Sequence, residues 1–337
     1  MESSRVIVVT VTYGMRWKFL SQVVIAVMKD PCVMELVIVD NGSKNKEEIE
    51  KGVEEYGDKV TILRQEKNIG SAGGFALGLS YARHTIADFV FMLDDDNVPE
   101  EGASEQFLET RKMFADKNIV LCGNRSNGKG NQDYFYKREN VKRKLVKTFF
   151  EVFSFRKIAH FLQLTFKLPT NKSLHTTFIP VVPNESFIYG GSFIPMEAVR
   201  AAPLPDADLV LYGDDIEYSW GIKDLGYSSY LCALPHIYDI DSSFGDSHIL
   251  GLYDPKTQPF KVYYRIRNMV RISVRSSSQN RVVLFISILF WVKGLSILAL
   301  CKYGFTRTYW KRYWLILQAV YGGYVPNATV PIEAELP

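Results

Sequence analysis

The chain has little cysteine: Cys32, Cys122, Cys232 and Cys301 are the only four in 337 residues. None forms a C-x-x-C pair, and their spacing matches no zinc pattern. A disulfide scaffold and a zinc-stapled fold are therefore not expected, and the reading is of buried free thiols in a reducing compartment. An excess of one charge sign is also lacking. Forty Lys and Arg face 37 Asp and Glu, a formal net charge of +3, so no nucleic-acid partner is implied. The opening MESSRVIVVTVTYG has no charged-then-apolar-then-small cleavage pattern. It reads as a first strand rather than a secretory leader, and the expected compartment is the cytoplasm. What is plentiful is hydrophobic sequence, 47% of the chain. That is enough for a sizeable core and excludes a disordered class.

Short β-branched runs alternate with helical stretches. VIVVTVTY (6–13), ELVIVDNGS (35–43), VTILRQ (60–65), DFVFMLDDD (88–96) and NIVLCGN (118–124) read as buried strands. Helices are expected over 17–29 and 45–57, over 68–84 after a glycine-rich turn that includes Gly73 and Gly74, and over 99–116, with Pro99 and two glutamates in the first turn of the last, while PHIYDIDSSFG (235–245) reads as a polar loop. This alternation predicts the α/β class, with a doubly wound, mostly parallel sheet. Ligands bind such sheets beyond the carboxyl ends of the strands. Polar residues collect at those ends: Thr12 and Tyr13, Asp40 and Asn41, Asn68, and Asp94 to Asp96.

Asp94, Asp95 and Asp96 close a buried strand. Three adjacent carboxylates repel one another, which makes a purely structural role without a cation implausible. Mg²⁺ or Mn²⁺ bound there would neutralise a diphosphate. In an extended strand Asp94 and Asp96 would share one side and Asp95 the other. A second acidic pair, Asp214 and Asp215, opens a predicted helix in YGDDIEYSW. Capping would explain one of them, while a general base would explain the pair. NIGSAGGF resembles a phosphate cradle but matches neither G-x-G-x-x-G nor G-x-x-x-x-G-K-[ST]. His236 follows a proline after a predicted strand and could be a structural residue or a third metal ligand.

Two regions are basic and aromatic. Nine Lys or Arg and two Glu lie between Lys137 and Lys167, interleaved with Phe and Leu. This predicts an amphipathic insertion (about 137–180) that is either a solvated flap or a surface for anionic lipid. Residues 282–300, VVLFISILFWVKGLSILAL, are the most apolar stretch. They fit a helix on a membrane surface, a span, or a core helix. TRTYWKRYWLILQAVYGGY repeats the aromatic-plus-basic theme.

The order TYGMRW, IVDNGS, NIGSAGGF, LDDD, YGGSF, GDDIEYSW, PHIYD, YYRIRN resembles glycosyltransferase family 2, inverting enzymes of the GT-A fold. The resemblance covers roughly residues 5–275. Within that family it is similar to the galactofuranosyltransferase and rhamnosyltransferase branch. It implies transfer of galactofuranose, rhamnose or a similar hexose from a UDP- or dTDP-linked donor to a saccharide or lipid-linked acceptor, in cell-surface polysaccharide synthesis. Residue by residue, it implies that Thr12, Tyr13, Asp40, Asn41, Asn68, Gly73, Gly74, Asp94 and Asp95 hold the sugar nucleotide. Asp94, Asp96 and His236 would hold the metal. Asp215 would be the general base, with Asp214 holding acceptor hydroxyls, and Gly190, Gly191 and Trp220 would lie on the acceptor side. The chain lacks the Gln-x-x-Arg-Trp run of many processive relatives and the paired tryptophans of galactofuranosyltransferases. The expected organisation is a catalytic domain over 1–275, followed by a membrane-associated helical region over 276–337, peripheral on the inner face of the cell membrane. The alternatives are a sugar-phosphate nucleotidyltransferase and a non-catalytic, membrane-associated sugar-binding protein.

Overall fold

A computed structural model of the chain describes residues 4–126, 135, 178–241, 249–276 and 280–336. The basic insertion expected from Lys137 lies almost wholly outside the described residues.

The N-terminal half alternates as its hydrophobic pattern requires. β1 (Val6–Thr12), α1 (Trp17–Met28), β2 (Val33–Asn41), α2 (Lys46–Val53), β3 (Val60–Gln65), α3 (Gly70–Ala82) and β4 (Phe89–Asp94) follow in turn. β3, β2, β1 and β4 lie side by side and parallel. Next come β5 (Asn97–Pro99), α4 (Ala103–Lys112), β6 (Ile119–Ser126), β7 (Val181–Asn184), β8 (Ser192–Pro195), α5 (Met196–Ala201), α6 (Asp214–Asp224) and β9 (Ser228–Asp239). β8 inserts antiparallel between β4 and β6, β9 runs parallel to β6, and β5 and β7 pair antiparallel with β9. The result is the mostly parallel sheet that the alternation predicts, with an antiparallel strand at its centre.

Period-two side-chain alternation gives the sheet two buried faces. Val6, Val8, Phe91 and Leu93 pack with Leu20, Val23 and Val27 of α1 and Phe107 of α4 on one face. Ile7, Val9, Val90 and Met92 pack with Phe75 and Leu79 of α3 and with Ala198, Val199 and Ile222 of α5 and α6 on the other. The glycines of α3 serve this second face. A Cβ on Gly74 would lie 2.6 Å from Val11 Cγ1, and one on Gly78 2.4 Å from Val9 Cγ1, so the helix lies closer to the sheet than alanine would permit.

Three expectations about elements are corrected. The fourth helix starts at Ala103, not at Pro99. Asn97, Val98 and Pro99 instead pair with Asp239, Tyr238 and Ile237, and Glu100 N–H donates to the His236 carbonyl. Residues 235–239 are not a loop but the end of β9, for the same reason. Gly73 and Gly74 are not in a turn; they lie inside α3.

The C-terminal part is helical: α7 (Pro259–Ser276), α8 (Arg281–Tyr303) and α9 (Arg307–Tyr324). Tyr263 and Ile266 of α7, Ile288, Trp291 and Leu295 of α8, and Ile316 of α9 form a third apolar cluster. It also draws in Leu252 and Tyr253 and reaches Val210, Leu211 and Tyr212. Residues on both sides of position 275 therefore share one core. α8 is long and apolar enough to cross a membrane by length and composition.

Candidate active site

A cavity of about 820 Å³ opens beyond the carboxyl ends of β1, β2, β4 and β6, where such a sheet binds its ligands. Its walls carry seven aspartates, Asp94, Asp95, Asp96, Asp214, Asp215, Asp239 and Asp241, against Arg16, Arg125 and Lys261. That leaves a surplus of acidic over basic side chains around the cavity, where an additional cation is favoured.

The triplet divides three ways. β4 ends at Asp94 and the chain turns there, so strand alternation does not reach Asp96 and cannot set its direction. Asp95 is buried, accepts a 2.7 Å hydrogen bond from Thr12 Oγ1 and pairs with Arg16 Nε at 2.9 Å. Asp96 pairs with Arg16 at 3.0 Å and accepts from Asn97 at 3.2 Å. Asp94 faces Arg125 at 3.3 Å. Withdrawal from bulk water, then the charges of Asp94 and Asp95, push the Asp96 carboxyl up to about 7. Burial raises Asp95 in spite of Arg16.

Arg16 and Arg125 were not singled out from the sequence, yet they join the corner to its surroundings. Arg16 begins α1 and also reaches Asp241 at 2.8 Å, while its guanidinium stands over the Phe19 ring at 4.8 Å. Arg125 reaches Asp239 at 2.8 Å. Asp239, two residues beyond Ile237, also accepts a 2.6 Å hydrogen bond from Asn97. A signal for Arg125 was present: it follows the buried run IVLCGN, at the same sheet edge as the aspartates.

The second pair lines the same cavity. Asp214 and Asp215 open α6, where helix N-terminal N–H groups favour carboxylates. Asp214 is buried and accepts from Ser71 Oγ at 3.0 Å. Removal from water raises both pKa values, and the Asp214 charge raises Asp215 further. Tyr189 stands beside them; burial and the two charges hold its hydroxyl well above the usual phenol range.

Of the other expected residues, Tyr13, Asn41 and Asn68 are on the cavity wall. Asn41 is held by hydrogen bonds to Asn68 and to the Gly70 carbonyl. Asp40 is fully buried off the wall, with Ser43 N–H on one oxygen and Arg64 on the other. Thr12 reaches the site only through Asp95. Gly190 is a wedge beneath the corner: a Cβ there would lie 2.0 Å from Asn97 Oδ1 and 2.7 Å from Asp94 Oδ2. Gly73, Gly74, Gly191, Trp220 and His236 are not on the wall. His236 sits within β9, its ring stacked against Tyr238, and the structure does not bring it to Asp94 and Asp96. The N-terminus of α3 is not an open cradle either, because Ala72 N–H donates to the Val210 carbonyl at 3.1 Å.

Among the described residues, no three His, Cys, Asp or Glu side chains are grouped to hold a metal unaided. Mg²⁺ is commonly held by one or two carboxylates together with substrate phosphates. Asp94 and Asp96, hard oxygen donors in a surplus of negative charge, fit that pattern.

Comparison with known proteins agrees with this geometry. The chain is 25% identical over 212 residues to the galactofuranosyltransferase GlfT1 of Mycolicibacterium smegmatis, covering 62% of each protein. It is 38% identical over 61 residues to GlfT1 of Mycobacterium tuberculosis strain H37Rv, covering 18% of this chain and 20% of that one. The chain thus spans less than two thirds of the length of these relatives. Among solved structures, GalNAc-T7 with UDP, GalNAc and Mn²⁺ superposes with a TM-score of 0.54 at 16% identity, over 80% of this chain and 48% of that one. Residues 1–349 of S. aureus TarS superpose with a TM-score of 0.50 at 12% identity, over 95% and 80%. The sheet is accordingly that of the GT-A glycosyltransferases. Residues 7–178, which carry β1 to β6 and the acidic corner, match the family described as glycosyl transferase family 2, and the chain belongs to that family.

Proposed function

We propose that this chain is an inverting, divalent-cation-dependent hexosyltransferase using a UDP- or dTDP-linked donor. The observation that carries the reading is one cavity lined by both the Asp94–Asp96 corner and the Asp214–Asp215 pair. In this reading Tyr13, Asn41 and Asn68 border the nucleotide. Asp94 and Asp96 would hold Mg²⁺ or Mn²⁺, which would supply charge neutralisation of the leaving diphosphate. Asp215 accepts the proton of the acceptor hydroxyl. That oxygen bonds to the anomeric carbon as the bond from this carbon to the phosphate oxygen breaks, and the electron pair leaves on the diphosphate. Attack from the opposite face inverts the centre. The raised pKa of Asp215 suits a base working near neutrality. Asp214 holds neighbouring hydroxyls. Similarity to GlfT1 supports galactofuranose, or a related hexose, as the donor sugar.

We further propose that the acceptor is lipid-linked and met at the inner face of the cell membrane. No Asp or Glu occurs between Asp254 and Glu333, whereas twelve Lys or Arg do. α8 buries Leu284, Ile288, Trp291 and Leu295 and exposes Phe285, Ile286, Leu289 and Phe290. Phe305, 73% exposed, and Trp314, 62% exposed, lie beyond it. A helix packed on one side and apolar on the other supports lying on an anionic surface rather than crossing it.

The test is a screen of UDP-, dTDP- and GDP-sugars for nucleoside-diphosphate release, with Mn²⁺, Mg²⁺ or chelator. Release with one donor, dependent on cation and acceptor, is expected. Inorganic diphosphate release from a nucleoside triphosphate and a sugar phosphate would replace this reading with nucleotidyl transfer. Donor binding without turnover on any acceptor would point to a sugar-binding protein.

A further inference from the structure

The turn that delivers the acidic pair is strained. Val210 has φ +63° and ψ −60°, and Leu211 N–H donates to the Leu209 carbonyl at 2.6 Å. This is a γ-turn with positive φ, a rare conformation that a β-branched residue seldom adopts. Tyr212 (φ +68°) and Gly213 (φ +83°) are also left-handed. Such backbone persists only where its surroundings over-determine it.

The restraint comes from α7, through the YYRIRN motif. The Asn268 side-chain nitrogen lies 2.6 Å from the carbonyl oxygens of Leu209 and Leu211 and 2.8 Å from that of Tyr212, so its two N–H groups are shared among the three. Arg267 Nε donates to Asn268 Oδ1 at 2.8 Å. That bond sets which end of the amide faces the turn. Arg267 also donates to the carbonyls of Asp208 and Leu209, and Arg271 donates to that of Asp208. Asn268 is 1% exposed and, like Arg267, is not on the cavity wall. From the other side, the Val210 carbonyl takes Ala72 N–H, and a Cβ on Gly70 would lie 2.0 Å from that same oxygen. Leu211, Tyr212, Asp214 and Asp215, carried by this turn, all line the cavity.

We propose that Asn268, oriented by Arg267, is a positioning residue: it holds the left-handed turn 210–213 so that Asp214 and Asp215 face the acceptor side. This rests on the reading of that pair as the acceptor-side carboxylates. Losing the amide takes the side-chain donor from the Leu211 and Tyr212 carbonyls, while that of Leu209 keeps Arg267 and Leu211 N–H, and frees the turn to relax toward ordinary φ. Asn268 makes no such bond to the Asp94–Asp96 corner, which follows β4 and pairs with Arg16 and Arg125.

The experiment compares Asn268→Ala, Asn268→Ser, Asp215→Asn and the double variant Asn268→Ala/Val210→Gly in the full chain. Donor affinity is measured by calorimetry, kcat per donor-binding site, and folding by thermal melting. Asn268→Ala is expected to keep donor Kd within about twofold while kcat falls at least tenfold. Val210→Gly, which removes the Cβ that makes positive φ unfavourable, is expected to recover at least fivefold of that loss. A purely structural role would lower Tm and the number of binding sites, leaving kcat per site unchanged; that outcome overturns the proposal. So does equal loss of donor affinity and kcat. Should Asn268→Ala not fold, Asn268→Ser decides, since its single hydroxyl donor should leave kcat at least threefold low with Kd unchanged. Full turnover in Asp215→Asn would instead remove the base reading, whatever Asn268 does.

Discussion

The two acidic walls of the cavity are built in opposite ways. Asp94 ends a central strand that is paired with β1 and β8 along most of its length, and Asp95 and Asp96 form the turn that follows. The sheet sets where the corner lies, and Arg16, Arg125 and Asn97 fix the directions of its side chains. Asp214 and Asp215 follow a turn in left-handed backbone, held from outside by α7 and α3. A group at a strand end inherits precision from a ladder of backbone bonds. A group after a strained turn depends on side chains far away in the sequence. Changes near the first wall should therefore act through charge, and changes near the second through geometry as well.

The largest effect expected is at the second wall. Asp215→Asn should lower kcat about 10²–10⁴-fold, the usual contribution of a positioned acid or base, with donor binding retained by calorimetry. Unchanged turnover would put the chemistry elsewhere. At the first wall, chelation should abolish diphosphate release and Mn²⁺ should restore it. Asp96→Asn should weaken donor binding in Mn²⁺ about 10-fold or more, the scale of one lost charge-assisted contact at about 1.5–3 kcal/mol; equal affinity with and without cation would separate the corner from metal binding. Gly190→Ala should destabilise the fold by about 1–3 kcal/mol, because the new methyl overlaps Asn97, as read by chemical denaturation.

A smaller effect distinguishes the walls by pH. Burial and then the Asp214 charge push the Asp215 pKa up to about 7, so the basic form accumulates only above the ordinary carboxylate range, and kcat should rise with pH through that limb. Asp214→Asn removes the like charge and lowers the Asp215 pKa, so the limb should move to lower pH; a stationary limb would assign it to another group. The smallest effect concerns the helical region. Phe290→Glu with Trp314→Glu should reduce sedimentation with phosphatidylglycerol vesicles several-fold while leaving kcat on a soluble acceptor unchanged. Equal sedimentation of both proteins would remove the membrane surface.

The sequence by itself determined the strand–helix alternation, the two buried faces of the sheet and the carboxyl edge where polar residues gather. These depend on local periodicity, and burial on both sides of a parallel sheet leaves a legible run of apolar residues. It also determined that Asp94–Asp96 and Asp214–Asp215 stand out, because adjacent like charges are costly without a partner. Only the tertiary structure decided which side chains complete the corner. Arg16 lies 79 residues from Asp95 and Asp239 lies 114 from Arg125, and no local pattern encodes such pairings. It moved Pro99 from a helix start into a strand, because β9 offered a partner for Asn97–Pro99. It put Gly73 and Gly74 inside a helix, with Gly74 packed tightly on Val11 of β1, while Asn68, Gly70 and Ser71 line the cavity. It also gave the YYRIRN motif its contacts, since an asparagine that holds three carbonyls 56 to 59 residues away leaves no trace in the spacing of its own helix.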